Sequence, residues 1–301
     1  MKKAKTRSPF ISMVKDIIFI FLVCVFILCL VNIKGNRENH PLLFWDFNGD
    51  TVKANPPKAK QEKTILRKFK WKYPKETNRE TVFYIPADSL KKEIKKFGLP
   101  YGMTHPLLME KRGFKVDGIK YYLDGQAIQE RLITTIDYKQ IFQRNLQYFG
   151  ELTKVLQSSA DLSPGEDSLH PFLTFVQHIR YQLPPRYYHR KFINAFFVPL
   201  VCLYEQYGDC DSKSLLLADF LCTVPGTSEK AAMVLIRGGG LTHALLAVKR
   251  NPLPGMTSLH DFKRGYYIVL ETTRPGWAPG FINRRVTDAL KAGFFQFVEL
   301  N

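Results

Sequence analysis

The chain has 301 residues, 45% hydrophobic and 13% aromatic, enough to bury a core in one or two domains and too apolar for a disordered protein. Its 44 Lys and Arg outweigh 27 Asp and Glu, a formal charge of +17, which favours acidic surfaces such as anionic lipid, acidic wall polymer or nucleic acid. No RNA-recognition, helix-turn-helix or zinc-finger signature accompanies the charge, so nucleic acid is not expected as a partner.

Much of the basic excess lies in the first 80 residues. Residues 1–16 carry Lys2, Lys3, Lys5, Arg7 and Lys15 against Asp16 alone and read as a cytoplasmic tail. IIFIFLVCVFILCLVNI, Ile17 to Ile33, follows and is apolar throughout except for Asn32. At ~1.5 Å per residue it reaches ~25 Å, enough to span a bilayer with snorkelling flanks. The positive-inside rule puts the N-terminus in the cytoplasm and the rest across the membrane. Residues 17–35 are therefore expected to be a single-pass signal anchor in contact with membrane lipid, with the remainder extracytoplasmic. The alternatives are a cleaved signal peptide or a buried helix. The run is long for a signal-peptide core, and no A-x-A site follows it. Residues 36–80, rich in Lys, Pro and Asn, read as a basic stalk.

Residues 81–160 read as a mixed α/β part. Ser89 is expected to cap a helix that ends at Gly98-Leu-Pro, and IKYYLDG reads as a short strand closing in a turn. DYKQIFQRNLQYFGELTKVL repeats apolar residues at helical spacing, from Ile141 and Phe142 to Leu156. Within 161–301, DSLHPFLTFVQHIRYQL reads as a helix, Gly208 as a turn, and Ser214 to Leu221 as helical. Three strand candidates follow: AMVLIRG, THALLAV and YYIVLETT. A helix followed by a small antiparallel sheet is an α+β arrangement.

Of five cysteines, Cys24 and Cys29 lie in the apolar run and Cys202, Cys210 and Cys222 beyond it. An odd number outside leaves at least one thiol without an intramolecular partner. If Cys202 and Cys222 pair, Cys210 is left over; the spacing does not decide it. No CxxC or CxH pattern suggests zinc, and neither a metal nor a cofactor is expected.

YGDCDSKSLLLADFL sets Cys210 between Asp209 and Asp211 at the head of an apolar helix. Such a cysteine is ordinarily a small buried residue. It can also be a nucleophile, because unpaired helix N–H groups and the macrodipole favour thiolate there. The two aspartates oppose ionisation unless they point away and cap backbone N–H groups. Lys213 is too flexible to help, so the thiol needs a histidine base. His243 opens one strand and Glu271 closes the next. Pairing them antiparallel also pairs Leu245 with Val269 and Ala247 with Tyr267 on one face. Glu271 then orients the imidazole of His243 beside Cys210. His260 lies in a loop without a strand to fix it, and His170, His178 and His189 precede the cysteine.

FVQHIRYQ, YGDCDSKSLLLADFL, THALLAV and YYIVLETTRPGW, in that order, resemble the transglutaminase-like superfamily in its bacterial cysteine-peptidase branch. The resemblance covers roughly residues 165–285 and rests on Gly208-Asp209-Cys210, His243 and Glu271-Thr272-Thr273. Glu271 stands where many members have Asp. The resemblance implies a papain-like helix-plus-antiparallel-sheet fold and a Cys210–His243–Glu271 triad. It implies acyl transfer through a thioester on a protein or peptide substrate, with hydrolysis favoured over cross-linking. The oxyanion is expected to take the backbone N–H of Cys210 and a second donor, for which Gln206 and Trp277 are the candidates. The alternative is a non-catalytic binding or scaffolding module of the cell envelope. Metal binding by Asp209, Cys210, Asp211 and His243 is disfavoured, since carboxylates flanking one thiolate make a poor soft-metal site.

Overall fold

The computed structural model describes residues 63–301 except 75–76, 104, 125–126, 164 and 262–264, with backbone alone for 117–132. The expected tail, anchor and most of the stalk lie outside the described residues. Among the described residues no helix is long and apolar enough to cross a membrane.

The end of the expected stalk is instead part of the fold. Strand β1 (Thr64–Lys72) pairs antiparallel with β2 (Asn78–Pro86). Its lysines made the stretch look like a linker, but they alternate with inward Phe69 and Trp71, the period of a half-buried strand. Phe69 and Phe83 pack edge-on against Phe175, at 5.3 and 5.7 Å between ring centroids.

Helix α1 (Ala87–Lys96) follows directly, with Pro86 rather than Ser89 at its N-cap. After β3 (Leu99–Pro100) and α2 (Pro106–Lys111), β4 (Phe114–Asp124) and β5 (Ala127–Ile136) form a hairpin with a bulge between Val116 and Ile119. Helix α3 (Tyr138–Ser159) is capped by Asp137, whose side chain accepts from Gln140 N–H. Helix α4 (Leu169–His178) leads to the short β6 (Arg180–Tyr181), β7 (Tyr187–Tyr188) and β8 (Lys191–Phe192). Helix α5 (Pro199–Glu205) and β9 (Tyr207–Gly208) precede helix α6 (Cys210–Cys222). The C-terminal part holds β10 (Ala231–Gly238), β11 (Leu241–Lys249), β12 (Ser258–Asp261), β13 (Gly265–Leu270), α7 (Arg284–Lys291) and β14 (Phe295–Glu299).

The α+β class is therefore shown. An antiparallel sheet in the order β12-β13-β11-β10-β14 is covered on both faces. Leu246 and Leu270 face the core built by the helices, whereas Leu245, Ala247 and Val269 face Val286, Ala289 and Leu290 of α7. Double coverage explains why these strands read as continuous apolar runs rather than alternating ones. Helix α6 is buried from Ser212 to Leu221, enclosed by α3, α4, α5 and the sheet. The described residues belong to one compact unit.

Candidate active site

The start of α6 is built by its own sequence. Asp209 is the N-cap, its Oδ1 accepting from Ser212 N–H (3.3 Å) and Ser212 Oγ–H (2.5 Å). Ser212 Oγ in turn accepts from Phe197 N–H at 3.0 Å. Gly208 is needed for packing: a Cβ there would meet Cys202 Sγ at 2.7 Å and Ser212 Cβ at 3.1 Å. Asp211 turns away from the thiol as well. Its Oδ1 accepts from Ser212 N–H (3.0 Å) and its Oδ2 from the Tyr138 hydroxyl (2.7 Å).

Both aspartates thus serve the cap, yet their charge is still felt. Burial, then Asp211 and Asp209, push the Cys210 thiol up, against hydrogen bonds from Ala244 and Asp211 N–H. Cys210 is therefore a neutral thiol at rest. Burial, then the charge of Asp211 and a hydrogen bond to it, lift the Asp209 carboxyl to about 9. Asp209 therefore keeps its proton near neutrality. The unfolded chain gives that proton up above about pH 4. The stability it contributes is full below that pH and is lost as pH rises toward 9. Asp209→Asn keeps the cap and removes the slope. Between about pH 5 and 9 the wild-type Tm is expected to fall by on the order of 5 °C relative to Asp209→Asn in thermal melts; parallel curves would refute the raised Asp209 carboxyl.

His243 and Glu271 meet, but not in the expected register. Leu246 pairs with Leu270, and Ala247 with Val269, a shift of two residues. The parity of faces survives, because side chains repeat every two residues. Glu271 lies just past the end of β13, diagonal to His243, and its extra methylene over Asp lets it reach. His243 Nε2 is 2.8 Å from Glu271 Oε2, and Glu271 Oε1 accepts from Thr273 N–H (2.9 Å) and Oγ1–H (2.6 Å). Burial pushes the Glu271 carboxyl up, but the bonds and charge of His243 and the Thr273 donors outweigh it and hold the group below its ordinary range. An ionised carboxylate only accepts, so Nε2 of His243 carries a proton, and in the neutral imidazole Nδ1 is the nitrogen left as a base.

Three buried residues hold this strand end. Gln177 Nε2 donates to the carbonyls of Glu271 and Trp277, both at 2.8 Å. Ser214 Oγ and Thr272 Oγ1 bond at 3.1 Å, tying α6 to the strand. Lys213 is fully buried rather than flexible, its Nζ donating to the Gln177 (3.3 Å) and Ile179 (2.7 Å) carbonyls. Sequence reasoning missed Gln177 and Lys213. The one signal was an isolated amide in the apolar face of PFLTFVQH.

One of the two expected oxyanion donors is engaged elsewhere. Gln206 adopts the left-handed conformation at the end of α5 (φ 61°), and its Nε2 donates to Lys68 O at 2.8 Å. The amide therefore anchors β1 instead of facing the thiol. Trp277 is half-buried with the Arg274 guanidinium 5.5 Å over its ring. A different hydroxyl sits by the site. Tyr181 pairs with Gly208, and its phenol is pushed up to about 12 by burial, then by Cys210, Asp209, Asp211 and Glu271.

Cys202 and Cys222 are free. Cys202 is buried beneath Gly208, while the Cys222 thiol donates to Glu229 O at 3.5 Å at the far end of α6, so the two do not pair. His260 lies in strand β12 rather than a loop, its ring 4.4 Å from that of Tyr266. Among the described residues no three His, Cys, Asp or Glu side chains converge as metal ligands. No family model and no curated protein matches the chain.

Proposed function

We propose that the chain is a transglutaminase-like cysteine hydrolase or acyltransferase acting on a peptide or amide bond. The observation that supports it best is the His243–Glu271 pair, one residue from the Ala244 N–H that bonds the Cys210 thiol. Because the thiol is neutral at rest, attack is general-base catalysed rather than led by a preformed thiolate. The Sγ proton passes to Nδ1 of His243 as sulfur bonds the carbonyl carbon. The oxyanion takes the Cys210 N–H, at the first position of a helix, and the Tyr181 hydroxyl. His243 returns the proton to the leaving amine, giving a thioester. Water or an amine then attacks, again deprotonated by His243, and the thiol is restored. If residues 17–35 anchor the chain as the charge asymmetry implies, the reaction takes place outside the cytoplasm.

A specific observation favours a second reading, a non-catalytic binding module: burial and two neighbouring carboxylates raise the thiol. Iodoacetamide labelling of the full-length chain in non-ionic detergent, followed by mass spectrometry of the Cys210 peptide, separates the two. For the enzyme, labelling of Cys210 at neutral pH depends on the base, and His243→Ala slows it at least roughly 10-fold. Labelling indifferent to His243→Ala favours the binding module.

A further inference from the structure

Beyond the C-terminus of α1 lies a small three-stranded sheet in the order β3-β8-β7. Leu99 pairs with Phe192, and Phe192 with Tyr187. Residues directly opposite in antiparallel strands share a face, and Tyr101, two residues past Leu99, continues it. The rings on this face form a ladder that climbs out of the core. Buried Phe114 stacks on Phe192 at 6.3 Å between centroids, Phe192 meets Tyr187 edge-on at 5.7 Å, and Tyr187 meets Tyr101 at 6.1 Å. Tyr101, at the top, is 84% exposed.

Helix α2 packs on β4 beside the foot of this ladder. It buries Met109 and leaves Leu107 and Leu108 exposed, Leu107 to 64%; Met103, between β3 and α2, is exposed as well. One exposed leucine needs no explanation, whereas five large side chains at one end of a unit do. Tyr101 and Leu107 project into solvent and do not line a groove that a folded partner would fill.

The charge near this end is almost all of one sign. No Asp or Glu occurs from Ile94 to Met109 or from Ser168 to Tyr204. Glu110 on α2 is the exception, and Lys111 and Arg112 follow it. On the face of the small sheet opposite Tyr187, Lys191 Nζ donates to the Ile94 (3.0 Å) and Phe97 (3.2 Å) carbonyls, and Arg112 Nη1 donates to Gly98 O at 3.1 Å. Burial, then the charges of Arg112 and Lys95, push the Lys191 ammonium down to about 8. Three cations therefore crowd the end of α1, and among the described residues none of them pairs with a carboxylate. They do not converge on a ligand. Attraction to an anionic bilayer needs only that they lie within about 8 Å of its surface at physiological salt.

Tyrosines beside leucine and methionine, backed by basic residues, suit a membrane–water interface. The same chain holds the apolar run Ile17–Ile33, which, read as an anchor, brings a bilayer to this unit. The Lys63 carbonyl accepts from Ala87 N–H at the start of α1. Helix α1 has ten residues, so the point where the chain joins the unit and the end bearing the patch stand about 15 Å apart along it. We propose that this face docks on the surface of an anionic bilayer, with Tyr101, Met103, Leu107, Leu108 and Tyr187 entering the headgroup layer. The docking does not rest on the chemistry of Cys210.

The test is photocrosslinking of the full-length chain reconstituted in phosphatidylcholine vesicles that contain phosphatidylglycerol with a diazirine close to its headgroup, the adducts being mapped by mass spectrometry. Adducts are expected on the peptides holding Tyr101 to Leu108 and Tyr187. They are expected to fall at least roughly 3-fold when the tagged lipid is phosphatidylcholine in neutral vesicles. The double variant Tyr101→Ser, Leu107→Ser lowers them at least roughly 5-fold and, because both side chains are exposed, keeps Tm within about 2 °C of the wild type. Adducts confined to Ile17–Ile33 overturn the proposal, as do adducts equal in neutral and anionic vesicles or unchanged in the double variant. A concentration-dependent dimer in non-ionic detergent that the double variant abolishes also overturns it, by assigning the face to a second copy. Adducts on the Tyr101 face with none in Ile17–Ile33 sustain the docking surface and overturn the anchor.

Discussion

Glu271→Gln is expected to silence Cys210 while leaving the fold intact. The substitution is isosteric, and Thr273 decides its orientation. Thr273 N–H and Oγ1–H both point at Oε1, so the amide oxygen must stay there and the NH2 group must face His243. An NH2 group donates, which forces Nε2 to give up its proton and moves it to Nδ1. The nitrogen that should take the Cys210 proton is then already protonated. The same tautomer trap in a serine triad costs about 10⁴ in kcat. Here the loss is expected to be on the order of 10³–10⁴ on an acyl-donor substrate, with iodoacetamide labelling of Cys210 at neutral pH slowed at least roughly 10-fold and Tm moved by no more than about 5 °C. Labelling at the wild-type rate would show that Glu271 does not set the tautomer.

Lys213→Ala is expected to be among the most destabilising single changes in the described unit. The side chain has no exposed surface, and its ammonium holds the carbonyls that end α4. Alanine leaves both acceptors unpaired and a cavity beneath α6, at a cost of about 3–5 kcal/mol. For a unit of this size that is a Tm drop of roughly 6–15 °C. Lys213→Met fills the volume without the hydrogen bonds and is expected to recover about half. Burial lowers the Lys213 pKa to about 8, against the opposing charges of Cys202 and Glu271. Between about 8 and the ordinary 10.5 the unfolded chain binds more protons, so the wild type gains stability as pH rises through that window and Lys213→Met does not. Melts at pH 7.5 and about 10 read both effects; a Lys213→Ala protein as stable as wild type would mean the carbonyls find water instead.

How far the site was legible depended on the range of each interaction. Asp209, Cys210 and Ser212 make a helix start from contacts within three residues, so GDCDS announces its own geometry. Parity did the same for His243 and Glu271: in any register that buries Leu245 and Val269 together, both side chains face the same side. Composition misled at β1, where Lys68, Lys70 and Lys72 obscured the inward Phe69 and Trp71. It misled again at Lys213, whose burial depends on two carbonyls more than thirty residues away in the chain.

By itself the sequence determined the helix that Cys210 heads, the apolar strands, and a histidine and a carboxylate on one face, because these follow from neighbours along the chain and a period of two. Only the tertiary structure decided the two-residue shift that makes Glu, rather than a shorter Asp, the right length for His243. It alone turned Asp209 and Asp211 into the cap, moved Gln206 to the Lys68 carbonyl, and set Gln177 and Lys213 behind the site. Those outcomes depend on how α3, α4 and the β1–β2 hairpin pack around α6, and packing over that distance in the chain leaves no periodic trace in the residues that take part.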